Sequence, residues 1–369
     1  MYEVRQVPQL AMFWPLLAAA SANESTALLV REFVERAVGT NDEGPPEPGW
    51  GTSHTVKLDL KMVSLRDFST ESEGPAVLLC APFALHSATV ADFAPGHSLI
   101  ATLRSAGLKR LFLTDWRPAC LDMRYLGISD YLAALNVLVD ELGGLVDLIG
   151  LCQGGWMSML YAVRFPAKVR KLVVAGAPID VAAEQSNMST LVNATPSALI
   201  TEFIKLGKGI VLGRMVKDVW GLKTISPESI RQMLGTDEPL DSAKFAHLLS
   251  LFLAWNAWTT NLPGSYFREV VENLYRHNEL ATGNFVALGQ KINLARVKAP
   301  LFMMAAQDDE LVAPAQLFAA ERLVGTPSGQ LQKALVPGSH LGLFMGRPIL
   351  KEYWPVIANW LLASPQNTA

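Results

Sequence analysis

Short, nearly unbroken apolar runs recur along the chain: GPAVLLCAPF, KRLFLTDW, LVDLIGLC and VRKLVVAGAPI, then much later APLFMMAAQDD and LQKALVP. Strands covered on both faces of a parallel sheet have this character, whereas a half-solvated strand alternates. Between the runs the apolar positions fall three and four residues apart. ISDYLAALNVLVDELGG keeps that spacing until it meets Gly143-Gly144, and PILKEYWPVIANWLLAS repeats it near the end of the chain, so both predict crossover helices. The alternation predicts an α/β fold built on a mostly parallel, doubly wound sheet.

The pattern also suggests boundaries. Residues 40–52, TNDEGPPEPGWGT, combine acidic residues with Pro and Gly, which disfavour helix and central strand alike. Residues 1–52 are therefore expected to be an N-terminal helical segment and linker, with residues 53–181 the first part of the core. Strand signals then fade, and residues 182–297 read as amphipathic helices rich in tryptophan. Lying between two core strands, they are expected to form a helical cap over the carboxyl edge of the sheet, where open α/β sheets bind ligands. Residues 298–369 resume the core.

Composition narrows the class. Half of the 369 residues are apolar, 18% are charged, and the net charge is −3, which suits a globular chain with a large core. No long Lys/Arg run supplies the electrostatic attraction on which nucleic-acid binding depends, so no nucleic-acid partner is expected. Three cysteines, without CxxC or Cys/His spacing, indicate neither a disulfide framework nor a metal site and fit a reducing, cytoplasmic setting. The segment QLAMFWPLLAAASA at residues 9–22 ends like a cleavable leader. Its flank is poor, because Glu3 offsets Arg5 and Pro15 interrupts the run, so a helix packed on the body or on an apolar partner is the expectation. No run reaches the roughly 18 to 20 apolar residues of a membrane span.

The chemistry gathers after three of the strands. Gly150-Leu151-Cys152-Gln153-Gly154-Gly155 stands between a predicted strand and a predicted helix, which is the G-x-S-x-G nucleophile elbow with sulfur in place of oxygen. The small residues leave room for a sharp turn, and the helix that follows places Cys152 at its positive end and offers the Gln153 N–H to a developing oxyanion. The bland reading is a buried cysteine on a glycine-rich turn. What weighs against it is order: Asp308 and Asp309 close the strand APLFMMAAQDD, and His340 follows LQKALVP in the loop PGSHLG. Nucleophile, acid and base thus arrive in the sequence that the α/β-hydrolase fold requires. Asp309 is the chosen acid, since Asp309 to Val312 reads Asp-x-Leu-Val, and Asp308 is expected to cap the turn or face solvent. His54, His97, His247 and His277 have no comparable setting and are expected to be structural.

From about residue 76 to residue 363 the chain resembles the polyhydroxyalkanoate (PHA) synthases. The resemblance rests on the Gly-x-Cys-x-Gly-Gly elbow, ATVADFAPGHSLI after the first core strand, Trp116, Asp130-Tyr131, WNAWTTNLPG at 255–264, FREVVENLYRHNELATGNF at 267–285 and INLARVKAPL. It implies Cys152 as the acyl-carrying nucleophile, His340 as general base and Asp309 as the acid, with the Gln153 N–H and a second N–H near Ala84 as the oxyanion hole. The implied substrate is a 3-hydroxyacyl-CoA, with no further cofactor. The implied partners are the polyester and a granule surface, and a homodimer stays among the possible assemblies. The chain departs from the pattern at His86 (Asn expected), Trp156 (Thr), Trp258 (Asp) and Glu310 (His). A second, lesser resemblance is to intracellular polyhydroxybutyrate depolymerases, through GAPID at 176–180 and HLGLFMG at 340–346. Acyl transfer into a polyester, hydrolysis by the same three residues, and a catalytically silent granule-binding member thus stand as alternatives. LSLFLAWNAWTTNLPGSYF could line an apolar channel or pack as cap core. Lys205, Lys208, Arg214 and Lys217 could meet coenzyme A phosphates, but a solvated face is the expectation for them.

Overall fold

The structure is a computed structural model and describes residues 45–220 and 226–363. The expected N-terminal helix and the leader-like segment at 9–22 lie outside the described residues.

Eight strands form one sheet: β1 (Thr55–Asp59), β2 (Val63–Asp67), β3 (Ala76–Cys80), β4 (Arg110–Trp116), β5 (Val146–Leu151), β6 (Val169–Ala175), β7 (Leu301–Ala306) and β8 (Leu331–Val336). Their order is β1-β2-β4-β3-β5-β6-β7-β8. The β1/β2 and β2/β4 pairs are antiparallel, and every other pair is parallel. This is the α/β-hydrolase fold. Apolar runs buried along their whole length, such as AVLLC of β3, VDLIGL of β5 and LFMMAA of β7, take the middle of the sheet because both faces are covered there. The β1/β2 hairpin is absent from the sequence-based expectation. Its β1, TVKLD, lies largely exposed at the sheet edge, so it carries no continuous apolar run to mark it.

Helices flank the sheet where the spacing placed them. Helix α1 (Ile128–Glu141) and helix α2 (Gln153–Arg164) are the crossovers on either side of β5, and α2 buries ten consecutive residues from Gly154 to Val163. Between β6 and β7 come the helical elements of residues 187–282, including α3 (Ala243–Ala257) and α4 (Gly264–Glu269). Helix α4 runs without a break into a π-helix, Val270–Arg276. The two ends of this insertion are joined: Asp180 accepts from Asn278 Nδ2 at 2.8 Å, and Asn278 Oδ1 accepts from Val181 N at 3.2 Å. Below the sheet, Lys171 of β6 donates to the carbonyls of Trp360, Leu361 and Ala363. Those are orphan acceptors at the end of the last helix, α5 (Trp354–Leu362), and one buried ammonium satisfies them.

Candidate active site

Cys152 sits between β5 and α2 with φ 50° and ψ −116°, a conformation that a side chain other than glycine's rarely adopts and that surrounding structure must enforce. The enforcement is visible. Cys152 N donates to Ala175 O at 2.8 Å, and Gly155 N returns to Cys152 O at 2.8 Å. The neighbouring glycines are required by contact: a Cβ on Gly154 would lie 2.0 Å from Cys80 O, and one on Gly150 would lie 2.5 Å from Gly155 Cα. The turn leaves the Cys152 side chain half-buried at the carboxyl edge of the sheet, whereas Cys80 is fully buried and Cys120 is exposed.

The loops after β7 and β8 deliver the other two side chains. They are tied together by Gln307 N donating to Val336 O at 2.7 Å and Asp308 N donating to Gly338 O at 3.0 Å. His340 Nδ1 donates to Asp309 Oδ2 at 2.7 Å, with both side chains buried. Asp309 Oδ1 accepts from Leu311 N at 3.0 Å and Val312 N at 2.8 Å, so the carboxylate is held by three donors. Asp308, one residue away, is exposed. With Nδ1 engaged by Asp309, the other ring nitrogen of His340 is left outside that bond, and the Cys152 sulfur lies close enough to act on the charge of the ring. Burial disfavours the charged ring, but the Asp309 carboxylate and the Cys152 sulfur outweigh it and hold the His340 pKa well above the ordinary imidazole value.

Gln153 opens α2, so its N–H belongs to the helix end that lacks intrahelical partners. Its side chain accepts from Trp156 Nε1 at 3.1 Å, and Trp156 stacks on Tyr266. Ala84 lies in the loop after β3, on the same edge of the sheet. Beside these three side chains stands one that sequence reasoning missed. Tyr275, on the π-helix, is buried, and its hydroxyl pKa is raised first by burial and then by the negative charge of Cys152 and Asp309. No local signature marks it, since only the π-helical segment brings it to the site. Of the basic residues of the insertion, Lys205, Lys208 and Arg214 are exposed, as expected of a solvated face, with Lys205 paired to Glu202, while Lys217 is half-buried and donates to Asn256 O at 2.6 Å. Phe252 and Trp255 of α3 pack on each other and against Phe93 and His86, which is how cap core behaves, while Leu253 is exposed. Among the described residues no cluster of His, Cys, Asp and Glu could hold a metal ion, and no helix is long and apolar enough to cross a membrane.

No protein-family model matches the chain. Curated proteins do. The poly(3-hydroxyalkanoate) polymerase subunit PhaC of Synechocystis is 29% identical over 283 residues, which is 73% of this chain and 73% of that protein. The subunit of the same name from Allochromatium vinosum is 26% identical over 305 residues, 78% of this chain and 81% of that one. This chain resembles the polyhydroxyalkanoate synthases. It is an enzyme of the acyltransferase or hydrolase type. Solved structures agree on the fold: a Paleococcus ferrophilus monoacylglycerol lipase matches with TM-score 0.52 at 17% identity, covering 81% of this chain and 98% of that one. A Bacillus megaterium epoxide hydrolase matches with TM-score 0.52 at 15% identity, covering 84% and 100%.

Proposed function

We propose that the protein is a PHA synthase-like acyltransferase that moves 3-hydroxyacyl groups from coenzyme A thioesters into a polyester through Cys152, His340 and Asp309. The observation that supports this reading is the buried His340–Asp309 pair beside the elbow cysteine, in a chain similar to PHA polymerases. In the first half-reaction His340 takes the Cys152 proton, and the thiolate attacks the thioester carbon. The N–H groups of Gln153 and Ala84 receive the oxyanion. Collapse expels the coenzyme A sulfur, which takes the proton back from His340 and leaves acyl-Cys152. In the second half-reaction His340 removes the proton from the 3-hydroxyl of another acyl unit, whose oxygen attacks acyl-Cys152; the acyl–sulfur bond breaks as the ester forms, and the released Cys152 sulfur takes the proton back from His340. Sulfur suits this exchange, because acyl-Cys and acyl-CoA are thioesters of similar energy and the acyl group meets no deep trap. The partners implied are the growing polyester and its granule surface.

If water is the second nucleophile, the same residues make a hydrolase. Incubation with 3-hydroxybutyryl-CoA decides between the two: free coenzyme A is followed while polymer and 3-hydroxybutyrate are assayed separately. Polymer formation supports the proposal. Coenzyme A release matched by 3-hydroxybutyrate makes the chain a hydrolase, and no release beyond that of the Cys152→Ala variant rejects both.

A further inference from the structure

The loop after β3 is held from two sides, and the division is uneven. From the core, Thr114 Oγ1 accepts from Ala81 N and Trp116 Nε1 donates to Ala81 O, each at 2.9 Å. Beyond Ala81 the polar bonds come from the cap. Tyr266 Oη donates to Phe83 O at 3.2 Å, Thr260 N donates to Leu85 O at 2.8 Å, and His86 Nδ1 lies 3.1 Å from Trp258 O. A carbonyl oxygen only accepts, so the His86 ring carries its proton on Nδ1. The ring also lies on Trp255, with centroids 4.5 Å apart. Ala84 is bracketed by these contacts on both sides in sequence.

We propose that cap segment 255–266 is a clamp that fixes the Ala84 N–H for the oxyanion, with His86 as its positioning residue. The proposal rests on reading Ala84 as an oxyanion donor. Donors aimed at a developing charge lose most of their effect when misplaced by about 1 Å, and residues 81–87 have no helix or strand of their own to hold them. The Trp258 carbonyl lies just beyond the end of α3 in extended backbone, so it requires a donor from outside the helix, and its role does not depend on the side chain at 258. His86 and Trp258, two of the departures from the synthase pattern, are therefore one contact. Because this end of the cap holds the loop, cap displacement and loss of the second oxyanion donor become a single event.

The test compares His86→Ala, His86→Asn and His86→Gln in the full chain. Acylation of Cys152 is timed with two donors, 3-hydroxybutyryl-CoA and p-nitrophenyl acetate, and alkylation of Cys152 is timed with iodoacetamide, which needs no oxyanion hole. His86→Ala is expected to slow acylation by both donors about 100-fold while alkylation and thermal unfolding hold. An asparagine amide nitrogen falls where Nδ1 does, so His86→Asn is expected to restore acylation, and His86→Gln, whose amide reaches past it, is not. Unchanged acylation in His86→Ala overturns the clamp. So does a parallel fall in acylation and alkylation that His86→Asn fails to repair. Wild-type protein acylated by the nitrophenyl ester but not by the thioester rejects the proposed substrate and leaves the His86 comparison decisive. Acylation by neither donor removes both readings.

Discussion

Replacing Asp309 by asparagine tests the relay at its most defined point. The amide introduced there has two orientations. With its oxygen kept toward the Leu311 and Val312 N–H groups, which now sit 3.0 and 2.8 Å from Oδ1, the NH2 faces His340 Nδ1, where a 2.7 Å bond to Oδ2 now lies. Two donors then meet, and the ring must move its proton to the nitrogen that faces Cys152. The flipped amide preserves the tautomer but sets its NH2 against two buried backbone donors, at about 1–3 kcal/mol each. The first orientation is therefore favoured, and in it His340 cannot accept the thiol proton. Losing the tautomer behind a catalytic imidazole lowers turnover by about 10⁴-fold in a serine triad, equivalent to about 5.5 kcal/mol. A thiol ionises more readily than a hydroxyl, so about 10³-fold is the expectation here. Asp308 is exposed, and Asp308→Asn is expected to change the rate by no more than about 2-fold. Single-turnover coenzyme A release, beside thermal unfolding of both variants, reads the contrast. A large loss in Asp308→Asn with normal turnover in Asp309→Asn would refute the assignment of the acid.

Cys152→Ala is expected to abolish acyl transfer without loss of fold, since it adds no bulk to the turn, and residual turnover of about a tenth or more would remove the cysteine mechanism. In the native protein, iodoacetamide is expected to label Cys152, whose side chain the elbow leaves half-buried at the edge of the sheet. Cys80, whose thiol is pushed up to about 12 chiefly by burial, should stay unlabelled, and equal labelling in a peptide map counts against Cys152 as the reactive thiol. Gly154→Ala would place a Cβ 2.0 Å from Cys80 O and is expected to yield little folded protein, so a normal melting temperature would contradict the elbow geometry. Burial pushes the His86 pKa down to about 4. The unfolded chain binds a proton near pH 6.5 that the folded chain refuses, so stability falls as pH drops through this window. Between about pH 7 and pH 5 the loss is about 2 kcal/mol; urea unfolding of wild type and His86→Asn at both values should show it in the wild type alone.

The sequence by itself determined the features that depend on local order. Continuous apolar runs marked β3 to β7, because a strand covered on both faces has no polar alternation to dilute the signal, while β8 at the far edge is mostly exposed and gave a weaker one. The elbow was legible because a nucleophile on so tight a turn forces small residues at fixed offsets, and the order of cysteine, aspartate and histidine follows from strand order. Choosing Asp309 over Asp308 used a local pattern, yet which carboxylate is buried against His340 is a fact of three dimensions. Only the tertiary structure set the β1/β2 hairpin on the edge, placed Tyr275 near Cys152 through a π-helix, and joined His86 to Trp258 across 172 positions of the chain. Those relations lie outside local pattern, because they arise where separate elements pack, and packing depends on partners that hydrophobic periodicity does not name.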